Sequence, residues 1–280
     1  MSKSTPQPVS EVAIPYRPEA TWLCTDAMYR FVVEYKKILD LFWCVVDTAH
    51  RIDQMQAIAA HALADPADRE KGVDGFNKRV MFQRVQELSE QISRNLVIGM
   101  VNNFHCYLSE LLQEVMLKRP EILRSSERVT TEDVLQFARV RDIRSFLADR
   151  KVSELSYGGL RQTREFISDR LGVELFSAEE QERLLTIFVE IRNVHTHNRG
   201  VVNRLFLNRI HQARHPKFVF KIGQFHQVGF DEFVLLSNNC VDVSRHLDAV
   251  VAAKFKLKRS RYKTRDKSVA GNAVTNPLAN

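Results

Sequence analysis

The chain has 280 residues, 44% of them hydrophobic and 27% charged, enough to bury one large core or two small ones. No apolar run approaches the ~20 residues of a membrane helix, and residues 1–17 lack the basic-then-apolar order of a secretion signal. The net charge of +7 belongs to one stretch: Lys254 to Lys267 holds eight basic residues and one acid, and elsewhere 33 bases balance 33 acids. Cys24, Cys44, Cys106 and Cys240 are scattered without a CxxC pair, so reduced thiols in a soluble cytoplasmic protein are expected.

Residues 1–18 carry Pro6, Pro8, Pro15 and Pro18 and read as an extended or disordered lead-in. From Glu19 to about Ala64 the spacing predicts a long helix, with Met28, Phe31, Tyr35, Leu39, Phe42, Val46 and Ile52 at three- and four-residue steps. Asp65-Pro66 ends it, because proline lacks the amide hydrogen and disfavours helix in the residue before it. A second helical pattern runs from Phe76 to Lys118, with Gly99 as a bend and Arg119-Pro120 as the stop. Thr130 with Glu132 and Asp133 marks another start, since acids are favoured at the positive end of the helix dipole. Beyond Ser153 a further helix is interrupted by Gly158-Gly159 and closed by Gly172.

Ser177 with Glu180 three residues on predicts a capping box opening the next helix, whose apolar stripe is Leu184, Leu185, Phe188 and Ile191. Gly200 suits its stop. Residues 201–214 predict a short helix, Phe218 to Gly223 the one β-like stretch, and Phe230 to Phe255 a closing helix. The expected fold is all-α, a helical bundle of long antiparallel helices with at most one short β-hairpin.

The last turns of the 177–200 helix crowd Arg192, Asn193, His195, His197 and Asn198 together. Such a cluster is costly to bury and serves no packing purpose, so it is the first candidate for chemistry. Phosphate-cradling glycine loops and a nucleophile elbow are absent. His195 and His197 with His211 and His215 could bind zinc only as an all-imidazole set, so no metal or other cofactor is expected. Arginine is always charged and forked to match phosphate oxygens, and histidine has a reference pKa of about 6.5, suited to proton transfer near neutrality. Together they meet the needs of RNA cleavage by its own 2′-hydroxyl. On an ideal helix, however, Arg192 and His197 lie about 140° and ~7.5 Å apart, so they share a face only if the helix unwinds or a second copy completes the site. The plainer readings are an ion-paired Arg192, a His197 that caps carbonyls, and an Asn198 that turns the chain.

The run Ile-Arg-Asn-x-x-x-His-Asn-x-Gly, with Arg192 and His197 five apart at the end of an amphipathic helix, resembles the HEPN superfamily (higher eukaryotes and prokaryotes nucleotide-binding). Many members are all-α, metal-independent endoribonucleases with an Arg-x4–6-His signature. The resemblance covers residues 76–256, leaving 19–75 as an added N-terminal helical extension and 257–280 as a basic, flexible tail. It implies catalytic roles for Arg192 and His197, with Asn193 matching the polar residue after the arginine and His195 as the rival histidine. One position departs from the pattern: where several branches place an acid after the aromatic of the early helix, this chain has His105 after Phe104. Glu110 lies a turn and a half later as a substitute, and Asn198 completes the supporting set. A homodimer building its site at the interface is also implied, as is a toxin or antiphage role with an antitoxin or regulatory protein as partner. The tail residues Lys256, Lys258, Arg259, Arg261 and Lys263 either hold RNA by salt-sensitive phosphate contacts or form a solvated end. The contrasting function is a non-catalytic HEPN-like module that binds a nucleotide, RNA or protein. A helical scaffold acting through residues 19–75 is the third reading.

Overall fold

A computed structural model describes residues 14–124 and 130–262, and among them nine α-helices account for nearly all regular structure. Helix α1 (Asp26–Leu63) begins where the Thr25 side chain accepts from the Met28 amide, and at 38 residues it is about 57 Å long. Its first half buries Met28, Phe31, Val32, Tyr35 and Leu39, whereas its second half buries only Ala49, Asp53 and Ala57. The second half therefore leaves the bundle as an arm. Besides α4 and α9 of the bundle, α1 packs against α2 (Pro66–Arg69), a 3-10 turn (Val73–Phe76) and α3 (Val80–Glu87). The expected 76–118 helix is broken at Leu88, where α3 ends and α4 (Ser89–Lys118) begins; α4 then runs through Gly99 without the predicted bend.

The arm is held by one buried carboxylate. Asp53 accepts from the Met81 and Phe82 amides at 2.8 and 2.9 Å, capping the first turn of α3 from another helix. Asp53→Ala leaves both amides without that acceptor and is expected to cost about 1–3 kcal/mol, localised to α3. Hydrogen exchange of Met81 and Phe82 should rise well above that of α4, and unchanged protection would show that α3 is held otherwise.

Helix α4 is apolar on most sides in its middle turns, burying Val97, Met100, Val101, Phe104, Tyr107, Leu108, Leu111 and Leu112, so it lies at the centre. Helix α1 crosses it antiparallel, with Asn103 donating to the Phe31 carbonyl and Arg30 paired to Glu110. After a 3-10 turn (Pro120–Leu123), α5 (Thr131–Leu135) opens at the predicted start, with a capping box between Thr130 and Asp133. Helix α6 (Val140–Phe166) also runs antiparallel to α4, placing Asp149 near Gln113 and Ser156 near Ser109. It kinks at Gly159 (φ +76°) and passes into a π turn (Ile167–Leu171) closed by Gly172 (φ +58°), as the glycines predicted.

Helix α7 (Glu179–His197) starts one residue later than a Ser177 cap would require. Ser177 and Glu180 form no capping box; the Ser177 amide and hydroxyl both donate to Gln181 Oε1 instead. Helix α8 (Arg204–Arg209) is capped by Asn203, and α9 (Phe230–Phe255) runs antiparallel to α7 and parallel to α4. The β-like stretch 218–223 is not a strand. Its end pairs with the backbone at Val202, whose carbonyl accepts from the Gly223 amide at 2.9 Å, while its period-two phenylalanines serve packing: Phe220 meets Phe206 of α8 at 4.8 Å and stacks with Phe218.

Among the described residues two strands form: β1 (Leu23–Cys24), just before α1, and β2 (Ser260–Arg261), just after α9, pair antiparallel. The first residues of the basic stretch are thus part of the fold rather than a flexible tail. Leu257 and Tyr262 are buried, and Tyr262 packs on Trp22 and Tyr29. Of the expected lead-in 1–18, residues 14–18 are tied to the fold, the Tyr16 amide donating to Tyr35 Oη at 2.9 Å and to Asn238 Oδ1 at 3.0 Å; the disorder expected of its residues 1–13, and of the tail residues 263–280, lies outside the described residues. No helix of the described residues is long and apolar enough to cross a membrane. Cys24 and Cys240 are buried, and Cys44 and Cys106 are exposed.

Candidate functional site

The apolar stripe of α7 buries Leu184, Leu185, Phe188 and Ile191, which fixes how the following polar residues face α4 and the 200–229 loop. Arg192 turns toward α4. Its Nη2 donates to Asn102 Oδ1 at 2.7 Å and its Nη1 to Asn193 Oδ1 at 3.1 Å. Both acceptors are neutral, and among the described residues no carboxylate lies within ion-pair distance of the guanidinium. Its Nε is buried without a hydrogen-bond partner. A half-buried positive charge without a counter-ion is an arrangement that favours an anion.

His105 follows Asn102 by three residues on α4, so both lie on the same face of that helix. Its pKa is pulled down to about 4, first by burial and then by the Arg192 charge. The ring is therefore neutral near pH 7, able to accept a proton and poor at supplying one. Its Nε2 is buried without a hydrogen bond. His105 also lines a narrow crevice between α4 and α6 with Ser109, Val152, Ser156 and Thr163, which does not reach Arg192 or His197.

The other members of the α7 cluster separate. His195 is fully buried, edge-on to Phe225 at 5.7 Å, with neither ring nitrogen in hydrogen-bond geometry. Its pKa falls to about 4 through burial, then through His226 and Arg94, with a backbone contact at His226 opposing them. His197 is exposed at the last turn. Because α7 stays helical to that residue, with the Thr196 hydroxyl donating to the Arg192 carbonyl at 2.9 Å, Arg192 and His197 are about 140° apart and ~7.5 Å along the axis. One chain does not bring them together.

Asn198 ends the helix: its amide donates to the Val194 carbonyl at 2.8 Å, and its side chain to the Val201 carbonyl. Arg199 and Gly200 then take left-handed conformations, φ +51° and +82°. At Gly200 a side chain has no room, since a Cβ would lie 2.4 Å from the Phe225 ring. The stop predicted at Gly200 is thus sterically required.

Glu110 is not beside Arg192. It is paired with Arg30 at 2.8 Å and stands eight residues past Asn102, about 12 Å along α4. The basic residues Lys256, Lys258, Arg259 and Arg261 sit beyond the C-terminal end of α9, whereas the α7 cluster is at its N-terminal end. With 26 residues in α9, the two regions are about 39 Å apart. Lys256, Lys258 and Arg261 are exposed, but Arg259 is engaged by the Leu23 carbonyl and lies 4.0 Å from Asp248. Lys263 lies outside the described residues.

Two participants escaped the sequence reading. Asn102 orients Arg192, and the only signal for it was a polar Asn102-Asn103 pair inside an apolar helix. His226, bound to Glu232 at 2.8 Å, closes over His195 from the loop before α9, with no signal at all. Among the described residues no three His, Cys, Asp or Glu side chains could hold a metal ion together, and His215 is paired with Glu180 at 2.6 Å. Comparison of the chain with protein-family models, with curated proteins and with solved structures finds no match.

Proposed function

We propose that the protein is a metal-independent, HEPN-type endoribonuclease that works as a homodimer. The observation that carries this reading is the Arg192 guanidinium, half-buried, oriented by two neutral amides and left without a carboxylate among the described residues. In the reaction the 2′-oxygen of RNA bonds to the adjacent phosphorus and loses its proton, while the bond to the 5′-oxygen breaks and that oxygen gains one. The products are a 2′,3′-cyclic phosphate and a 5′-hydroxyl. Arg192 binds the non-bridging oxygens, whose charge grows in the phosphorane, and Asn193 holds the guanidinium in register. His197, exposed to solvent, moves the proton. The 140° between them is bridged by a second copy, whose His197 approaches the first copy's Arg192. The setting we propose is a cytoplasmic toxin or antiphage effector restrained by an antitoxin or other regulatory protein.

The same 140° favours a second reading, a non-catalytic HEPN-like module that holds a nucleotide, RNA or protein through Arg192 alone. Labelled RNA incubated with the purified chain and excess chelator separates the two. The nuclease reading expects cleavage with 2′,3′-cyclic phosphate ends, lost in both Arg192→Ala and His197→Ala. Saturable RNA binding by the dimer with no cleavage would establish the module instead.

A further inference from the structure

The balance of acids and bases outside the 254–267 stretch conceals a second segregation. Residues 191–230 hold seven Lys or Arg and no Asp or Glu, whereas at the chain-wide frequency of 34 acids in 280 residues forty residues would hold about five. This acid-free stretch is the end of α7 and the whole connection to α9, and the fold makes an ordered lobe of it. Val202, Phe206, Ile210 and Val228 are buried in the main core. Phe225 bridges back to Val201, and the Val202 and His226 amides donate to the Gln224 and Gly200 carbonyls, each at 2.9 Å. Among the described residues, carboxylates reach the lobe only from outside it, Glu190 to Arg209, Glu180 to His215 and Glu232 to His226. Arg199, Arg204, Arg214, Lys217 and Lys221 are left exposed and, among the described residues, without an ion pair. With no acid interspersed to cancel them, their fields add over one surface.

We propose that this lobe is the track on which the protein holds single-stranded RNA, its free cations gripping phosphates on the way to Arg192. Apolar groups stand among the charges: Val219 is 74% exposed, Ile222 56% and the Phe225 ring 37%. A single strand offers both phosphates and unstacked base faces to such a surface, whereas a duplex hides its bases and would use the charges alone. Position favours the same occupant. Arg199 lies two residues past His197, so the track adjoins the α7 cluster, while the bases at 256–261 are about 39 Å away beyond the far end of α9. That the polyanion is RNA rests on the ribonuclease reading; that the lobe holds it requires neither cleavage nor Arg192.

Anisotropy of a labelled single-stranded RNA, 2′-O-methylated throughout so that it cannot be cut, tests the proposal with the full chain at several salt concentrations. Each phosphate contact on a single strand contributes about 0.7 to the slope of log K against log salt, so five engaged cations predict a slope of about −3.5. Arg204→Gln/Arg214→Gln/Lys217→Gln is expected to bind about 30-fold more weakly at physiological salt, with the slope smaller by about 2. Its melting temperature should not change, because these side chains are exposed and unpaired. Arg204→Lys/Arg214→Lys keeps the charges and should bind nearly as the wild type does, as should Lys256→Gln/Lys258→Gln/Arg261→Gln at the far end. The proposal is overturned if the wild type binds no RNA up to about 100 µM, which would leave the surface to an acidic protein partner. It is equally overturned if the lobe triple variant binds unchanged, if the lysine variant is as weak as the glutamine one, or if the far-end variant loses as much. Lobe-dependent binding by a chain that never cuts unmodified RNA would remove the ribonuclease reading and leave this one standing; cleavage of dilute RNA undiminished in the lobe triple variant would do the reverse.

Discussion

Arg192→Ala is expected to lower RNA cleavage by about 10³-fold, the scale seen when a preorganised charge on a developing oxyanion or phosphorane is removed. The fold should hardly notice. The side chain gives up hydrogen bonds to the exposed Asn102 and to Asn193, worth about 1 kcal/mol together, which in a protein of this size shifts the melting temperature by about 2 °C. Arg192→Lys is expected to recover little, because one ammonium cannot reach two amide oxygens and two phosphate oxygens with a fixed fork. The sharper test is its neighbour. Asn102→Asp gives the guanidinium a counter-ion at a position where the native oxygen is 2.7 Å away, so it should hold or raise thermal stability while quenching cleavage more than Asn102→Ala does. Were Arg192 purely structural, the aspartate would be harmless to activity. Melting curves and single-turnover cleavage of the same four variants decide between these outcomes.

The sequence was readable where a local rule decides the structure. Helical spacing found α1, α7 and α9, Asp65-Pro66 and Gly200 found the stops of the first two, and Thr130 with Asp133 found the start of α5. It misled where a rule depends on a distant neighbour. The one pattern from Phe76 to Lys118 is two helices, α3 and α4, and the start of the first is fixed from afar by Asp53, 27 residues before Val80, which caps the Met81 and Phe82 amides. Phe218 to Gly223 alternates like a strand, yet strand character needs a partner edge along its length; backbone pairing begins only at Gly223, with Val202, and Phe218 and Phe220 meet aromatic rings instead. The basic stretch reads as solvated from its charge, but Leu257 and Tyr262 within it bury themselves and carry Ser260–Arg261 onto β1. At the candidate site the cluster on α7 was visible because one helix carries it. Its division into a partly buried Arg192, a sealed His195 and an exposed His197 was not. That depends on α4 and on the loop before α9, which are remote in the chain.

His195 should make the fold sensitive to acid, and the sign follows from its burial. In the unfolded chain the ring binds a proton below its ordinary pKa of about 6.5, whereas in the folded protein it resists until about 4. Between those values the unfolded state holds more protons, so stability is complete above pH 6.5 and is lost progressively as pH falls toward 4. The depression corresponds to about 3 kcal/mol, with His105 adding a smaller share because it is only partly buried. Urea unfolding at pH 7.5 and 4.5 measures the loss directly. His195→Leu removes the ionisable ring from a position where neither nitrogen makes a hydrogen bond, so it should leave stability at pH 7.5 within about 1 kcal/mol and flatten the acid limb. An acid limb as steep as the wild type's would put the sensitivity elsewhere. The same variant settles which histidine moves protons, because a sealed, neutral His195 serves packing and cleavage should survive its loss. If His195→Leu folds normally, flattens the acid limb and yet abolishes cleavage, the proton-transfer role passes from His197 to His195, and the 200–229 loop must open to admit RNA.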